Sequence, residues 1–536
     1  MTIKLDLLIK NGRIIDGTGN PYFFSDIGIV DGKIACLAQG LGPSNANRVL
    51  DAAGLTVCPG FIDTHSHDDA YLLINPQCDE KVCQGVTTDV IGNCGFSLVP
   101  LTDMHRDDMR KASAIMGGSK LPHDFWQLSS FAEFLTRLEN AGVGINVVPL
   151  VGHGTVRIAV LGYENRPPDK SELAQMKRLT AEAMQGGAFG LSSGLIYAPA
   201  NYAATGEITE LATVAAQFKG IYTTHMRSEG DQQMAAIEET LKIAREAGIA
   251  AHISHHKIAG RNNWGQSKDT LKLFADERAK GQLVTCDQYP YPAGSTFLAA
   301  ALPPSFQAQG PQAFAEKLKE PAVRQAVMDE IESGSGAPWE NLIKGAGFEN
   351  IIISAAPRHE HYIGKSIVQI AEMETRKPYD VFFDLLIKEQ MEAGMVIFMM
   401  DEADIVRIMQ DPITMIGTDG IPGFGSSKVH PRMHGTFPRV LGRYVREKAA
   451  ISLEAAIRKM TSLPAQTFGL YKKGILRQGL DADIVVFDPQ SIIDNATFEN
   501  PAQPPEGISH VIVNGEPAVE HGQIMGATSG QVLRRK

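Results

Sequence analysis

His65 and His67 stand two residues apart at the end of an apolar run, Val57-Cys58-Pro59-Gly60-Phe61-Ile62. Side chains of an extended strand alternate with a period of two, so both imidazoles face one way and can meet one metal ion. Other polar residues close other apolar runs farther on: Cys94, His225, His255 and Asp419. Nitrogen, sulfur and oxygen donors of this kind suit zinc. Each alone is a weak signal. A single strand-end histidine is commonly structural or solvated, and a single buried cysteine is commonly inert packing. Their joint occurrence on successive strand ends is hard to assign to packing and points to a metal site that several strands must assemble.

The elements that could do this run through residues 57–474. Candidate strands are Val57–Asp63, Val86–Gly92, Ile145–Val151, Ala188–Gly194, Ile221–His225, Ala250–His255, Leu283–Tyr289 and Ile413–Asp419, most of them followed by helical sequence such as Ser171–Gln185 and Gln232–Ala247. Alternation of this kind predicts an α/β chain folded as a (β/α)8 TIM-like barrel, whose active site belongs at the C-terminal strand ends. The count of eight is one parsing, and a neighbouring strand could be the true eighth. Between the seventh and eighth strands, residues 290–412 read as an insertion at the catalytic face, serving as a lid. It carries the strand-like runs Asn350–Ala355 and Met395–Met400 and an amphipathic segment near Tyr379–Glu392.

The two ends differ from this middle. In residues 1–56, short runs at Leu5–Ile9, Arg13–Asp16, Asp26–Val30 and Lys33–Ala38 are punctuated by Asn11-Gly12, Asp16-Gly17 and Asp31-Gly32, each read as a tight turn. Residues 475–536 repeat the style at Ile484–Phe487 and Ile508–Val513. Together they predict one small β-sandwich domain built from both termini.

Composition narrows the partners. A net charge of −11 and a pI near 5.8 argue against nucleic acid or an anionic membrane surface. No apolar run approaches the roughly 18 residues of a membrane span, and the N-terminus has no signal-peptide core, so a cytoplasmic location is expected. The six cysteines, at 36, 58, 78, 83, 94 and 286, show no spacing pattern. In a reducing compartment most should be buried thiols, with one available as a ligand.

Longer motifs carry a resemblance. Pro59-Gly60-Phe61-Ile62-Asp63-Thr64-His65-Ser66-His67, Gly92-Asn93-Cys94-Gly95, Ser192-Ser193-Gly194-Leu195-Ile196-Tyr197, Thr224-His225-Met226-Arg227-Ser228-Glu229-Gly230, Ile253-Ser254-His255-His256-Lys257, Asp287-Gln288-Tyr289-Pro290-Tyr291, Gly294-Ser295-Thr296, Thr418-Asp419-Gly420 and His430-Pro431-Arg432 span nearly the whole chain. The sequence resembles the amidohydrolase superfamily and, within it, the D-aminoacylase (N-acyl-D-amino-acid deacylase) family. Dihydropyrimidinase-like relatives bridge two metals with a carboxylated lysine at the end of strand four. Here Gly190-Leu191-Ser192-Ser193 offers no lysine, and Cys94 looks like the replacement.

The resemblance implies one tight zinc on Cys94, His225 and His255, with His65, His67 and Asp419 around a second position that the family holds weakly or not at all. It implies that Asp419 takes a proton from the attacking water and gives it to the departing amine. Tyr197 resembles an oxyanion donor. Arg432 is the implied fork for the substrate's α-carboxylate, and Lys257, Tyr289 and Ser295 match positions near it. His256 should point away from the metal, and His252 should be a core residue. The apolar run Phe297–Leu302 suggests a pocket for a neutral or hydrophobic side chain, or else the core of the lid. The expected partner is a small N-acyl-D-amino acid. Two rival readings are a cyclic-amide hydrolase, of hydantoinase or dihydroorotase type, and a non-catalytic scaffold on the same fold.

Overall fold

The computed structural model describes residues 4–333 and 339–535. Among them, eight short parallel strands build a barrel: β1 (Phe61–Asp63), β2 (Val86–Ile91), β3 (Asn146–Pro149), β4 (Gly190–Gly194), β5 (Ile221–His225), β6 (Ala250–Ile253), β7 (Val284–Gln288) and β8 (Thr414–Ile416). β1, β2 and β3 pair in that order, and β4 to β8 pair in theirs. The chain joins the two sets where β3 continues into Val151–Gly152, which pairs with β4. A parallel bridge between Ser66, just past β1, and Gly420, just past β8, closes the ring. Nearly every strand residue is buried, as parallel strands covered on both faces require. The eighth strand is the one expected.

The first expected strand, Val57–Asp63, is two strands. Thr56–Pro59 pairs antiparallel with Ile484–Phe487 outside the barrel, and the barrel strand starts only at Phe61. Gly60 makes the switch, because a Cβ there would lie 2.1 Å from Thr87 Oγ1. Asn11-Gly12 is also corrected. It lies inside a single strand, Leu5–Ile14, as an irregularity in its pairing with Phe23–Val30, with Asn11 at φ 59°. Both flanking halves pair with the same neighbour, so the dipeptide forms a bulge and not a turn. Asp31-Gly32 does turn the chain, between Phe23–Val30 and Lys33–Ala38. Strands from the two ends hydrogen-bond into one nine-stranded sheet around a core of Ile9, Ile27, Val57, Ile484, Val486 and Ile512.

Between β7 and β8 stands a separate three-stranded antiparallel sheet. Gly394–Phe398 is its centre, flanked by Ala293–Phe297 and Ile351–Ala355. The amphipathic segment is a helix, Pro378–Lys388, opened by proline at its first position. It buries Val381, Phe382, Phe383, Leu385 and Leu386. This sheet lies over the C-terminal strand ends and forms one wall of the pocket there.

Candidate active site

Cys94 follows β2, His255 follows β6 and Asp419 follows β8. All three have left-handed backbone, with φ of 52°, 38° and 49°. Such residues are uncommon outside glycine, cost about 1–3 kcal/mol each and persist only where their surroundings fix them. Here they are fixed. The Asp419 amide donates to the His65 carbonyl at 2.7 Å, and the His255 amide donates to Asp287 Oδ1. The conformation turns each side chain from the strand direction into the mouth of the barrel.

There the donors meet. Cys94 Sγ lies 3.2 Å from His65 Nε2, 3.4 Å from His255 Nε2 and 3.7 Å from His225 Nδ1. Asp419 Oδ1 lies 3.5 Å from His65 Nε2 and 3.3 Å from His67 Nε2. One ligand atom from each of His65, Cys94, His255 and Asp419 falls within 4.8 Å of the other three, and His225, Glu229 and His255 form an adjoining group. All are buried. His225 Nε2, His65 Nδ1 and His67 Nδ1 are buried without a hydrogen-bond partner. Burial holds His65 well below the usual imidazole range and His225 at about 3, so both rings are neutral donors. Burial pushes the Cys94 thiol up, with Asp419 and Glu229 adding to it. A thiolate in such a place needs a cation beside it. The donor set fits a metal ion, and a soft thiolate with imidazoles fits zinc.

Asp419 is buried, which raises a carboxyl, yet it is held well below the usual range by Arg432, His255 and His65. Arg432 Nη1 lies 2.8 Å from its Oδ2. Beneath the cluster is a layer whose roles sequence reasoning missed. Glu229 Oε1 accepts from His255 Nδ1 at 2.9 Å and from the Lys257 ammonium, fixing which His255 nitrogen faces Cys94. Although burial opposes it, Lys257 and both histidines hold Glu229 far below the usual carboxylate range. Asp287 joins His252 Nε2 at 2.8 Å and Thr64 Oγ1 at 2.8 Å to the His255 amide. Lys81 is fully buried among Asp63, Asp68 and Asp89 and donates to Thr418 Oγ1 at 2.8 Å. Asp63 Oδ1 in turn accepts from the amides of His65 and Thr418, so one buried ion cluster ties the His65 loop to the Asp419 loop. The signal for Glu229 was its place in the His225 motif; Lys81 had none.

Four of the remaining predicted residues, Tyr197, Lys257, Tyr289 and Ser295, line a pocket of about 40 Å³ against this floor, and Arg432 lies behind its lining. Arg432 is 1% exposed, and its guanidinium lies 4.5 Å from the centre of the Tyr289 ring. His430 positions it: Nδ1 accepts from the Arg432 amide, and Nε2 donates to the Ala293 carbonyl. Ser295 meets Arg432 through its backbone carbonyl at 3.0 Å, while its hydroxyl donates to the Met395 carbonyl. Burial pushes the Tyr197 hydroxyl well up; it lies 3.3 Å from Thr296 Oγ1. His256 turns away to Thr270, and His252 is a core residue. Within Phe297–Leu302, Leu298, Ala299, Ala301 and Leu302 are buried core of the insertion. Phe297 differs from them in packing on Tyr197, ring centroids 5.0 Å apart. The apolar wall of the pocket comes instead from Ile196, Leu342, Ile397, Met399 and Ile421.

The amidohydrolase family profile matches residues 48–519. D-aminoacylase of Alcaligenes xylosoxydans xylosoxydans is 38% identical over 530 residues, covering 99% of this chain and 98% of that protein. N-acyl-D-aspartate deacylase of the same organism is 37% identical over 532 residues, covering 99% and 95%. The crystal structure of N-acyl-D-glutamate deacylase from Bordetella bronchiseptica, complexed with zinc and a phosphonate mimic of the tetrahedral intermediate, superposes with a TM-score of 0.84 at 35% identity over 99% of this chain and 100% of that one.

Proposed function

We propose that this chain, which belongs to the amidohydrolase family and to its D-aminoacylase branch, is a zinc-dependent hydrolase that cleaves the amide bond of N-acyl-D-amino acids. The observation that carries the reading is the convergence of imidazole, thiolate and carboxylate within 4.8 Å beside a buried arginine. Cys94, His225 and His255 would hold the tight ion, and His65, His67 and Asp419 would surround a weaker second position. When bound, zinc supplies Lewis acidity, bringing the ionisation of water toward neutral pH and polarising an amide carbonyl.

The protein's own groups do the rest. Asp419, kept ionised by Arg432 and the histidines, accepts a proton from the attacking water and returns it to the amine nitrogen; the two transfers are sequential, so one carboxylate serves both. Tyr197, whose hydroxyl is held protonated by burial, donates to the oxyanion. Arg432 takes the α-carboxylate as a planar fork, with Lys257, Tyr289 and Ser295 around it. Preference for the D-hand rests on the relatives. The apolar wall of Ile196, Leu342, Ile397 and Met399 supports a neutral or hydrophobic side chain, with Lys257 of the same pocket given to the α-carboxylate. In this reading the strands of residues 1–59 and 475–536 form the terminal β domain, the barrel runs from Phe61, and not from residue 57, to residue 474, and the described part of residues 290–412 acts as its lid.

A screen of amine release over N-acyl-D- and N-acyl-L-amino acids and hydantoins, with zinc analysis of the same protein, tests the reading. Release confined to N-acyl-D-amino acids is expected. Turnover of hydantoins alone, or a protein that binds no metal, would reject it. Faster turnover of N-acetyl-D-glutamate than of N-acetyl-D-leucine would reject the side-chain assignment.

A further inference from the structure

Beside the reaction pocket opens a second cavity of about 460 Å³. It falls in the roughly 300–1,000 Å³ range of small-molecule sites, which the reaction pocket does not reach alone. The two share Ser295, Thr296 and Ile421 as a common boundary. The cavity lies between the end of Ile351–Ala355 in the insertion and the loop from Ile421 to Val429 that connects Asp419 to His430. Its lining joins the apolar side chains of Ala355, Ala356, Ile363, Phe424 and Val429 to the hydroxyls of Ser119, Ser354, Ser426 and Ser427. Its charged lining is balanced, with Lys120 and Arg358 against Glu360 and Glu392. Arg358 is already bonded to the Glu389 carbonyl at 3.0 Å and to Glu392 at 3.2 Å.

We propose that this cavity receives the acyl group of the substrate and that the enzyme favours an apolar acyl chain longer than acetyl. The inference rests on the deacylase reading and deepens it. With the α-carboxylate on Arg432, Lys257 and Tyr289, and the amide carbonyl over Cys94, His255 and Asp419, two substituents remain to be placed. The side chain has the wall of Ile196, Leu342, Ile397 and Met399, and none of these four lines the larger cavity. The acyl chain starts at the carbonyl, beside Asp419, and the shared boundary lies at Ile421, two residues farther on. Lys257 and Tyr289 do not line the larger cavity, so nothing there competes with the carboxylate site. A lining without net charge, with five apolar side chains among it, suits a neutral chain.

The test is kcat/KM for N-acetyl-, N-butyryl- and N-hexanoyl-D-leucine with the full-length zinc enzyme and with Ile363→Trp and Ser426→Trp, both of which narrow the cavity away from the catalytic residues. A rise of roughly fourfold per added methylene is expected for the unmodified enzyme. The variants should keep N-acetyl-D-leucine turnover within about twofold and lose roughly tenfold or more on the hexanoyl substrate. Values that stay flat or fall with chain length, or variants that slow all three substrates equally, overturn the inference. So does a loss in the variants that tracks side-chain size across N-acetyl-D-alanine, -leucine and -phenylalanine, since the cavity would then hold the side chain. Failure to release amine from any N-acyl-D-amino acid sinks the deacylase reading itself, a result distinct from good acetyl turnover without chain-length dependence.

Discussion

On the pocket floor, Cys94, His255 and Asp419 are each held in left-handed backbone; Cys94 meets three imidazoles, His255 hydrogen-bonds to buried Glu229, and Asp419 pairs with buried Arg432. Along the insertion wall, Ser295 and Thr296 lie on an antiparallel strand, and the neighbours that shape the space are Ile397, Met399 and Leu342. The floor is over-determined, because each functional atom is aimed by a second group. The wall is set by volume and by backbone carbonyls, which many side chains could leave unchanged. The contrast teaches that substitutions on the floor should change the chemistry or the fold, and substitutions on the wall should change which substrate is preferred.

The largest effect should come from the floor. Asp419→Asn keeps the shape of the group and removes the proposed proton acceptor, so kcat should fall about 10²- to 10⁴-fold, with zinc content by atomic absorption nearly intact. A variant within tenfold of normal would break the assignment and the contrast with it. Next is Lys81→Met, which touches no substrate. It strands Asp63, Asp68 and Asp89 without their shared cation, and removal of one partner from a buried ion cluster costs about 3–5 kcal/mol. Burial pushes Asp68 and Asp89 up, against the pull of Lys81, so part of this loss should be recovered at low pH, where they take up protons. Denaturant unfolding at two pH values measures it. Unchanged stability would mean that the two loops are held by other contacts.

These two residues also mark how far the sequence could be read. Asp419 was legible because its chemistry restricts the residue type and its place at a strand end is periodic. The same holds for His65, His67, Cys94, His225 and His255. The barrel was legible for a related reason: β5, Ile221–His225, has the expected bounds, and apart from the first and third, each of which is interrupted, the other strands differ only at their ends. Lys81 was invisible, since a lysine in the run Asp79-Glu80-Lys81 reads as a solvated surface charge and only the folded chain brings it under Asp63 and Thr418. The split at Gly60 was hidden because one apolar run serves two sheets. The wall was least legible. Phe297–Leu302 reads equally as a pocket or as lid core and is mostly core, and the residues that line the pocket, from Ile196 to Met399, are far apart in the chain and ordinary in type.

Arg432 stands between floor and wall, bonding Asp419 on one side and Ser295 on the other. Arg432→Lys keeps the charge and loses the fork, which should cost about 1.5–3 kcal/mol of substrate binding. KM should rise by roughly tenfold to a hundredfold, with a smaller change in kcat. An unchanged KM would place carboxylate recognition on Lys257 and Tyr289 instead.

The smallest effect sharpens the contrast most, because it concerns a place where the insertion bonds directly to the floor's support. Glu340 Oε2 accepts from the Glu229 amide at 2.7 Å, next to the carboxylate that aims His255. Burial pushes the Glu340 carboxyl up from 4.5 to about 7, and the charge of Glu229 adds to the rise. An acid whose folded value lies above its unfolded one binds a proton more tightly when folded. Its contribution to docking the insertion is therefore complete below about pH 4.5 and is lost as the pH climbs through about 7. Glu340→Gln keeps the accepting oxygen and removes the titration, so at low pH it should differ from the unmodified chain by no more than the roughly 1 kcal/mol of one neutral hydrogen bond. Hydrogen exchange of the insertion's amides, followed between about pH 5 and pH 8 and corrected for intrinsic rates, should show protection falling with pH in the unmodified chain and staying level in Glu340→Gln. Parallel profiles would mean that the wall docks through its apolar contacts alone, and that floor and wall are as independent in energy as they are in construction.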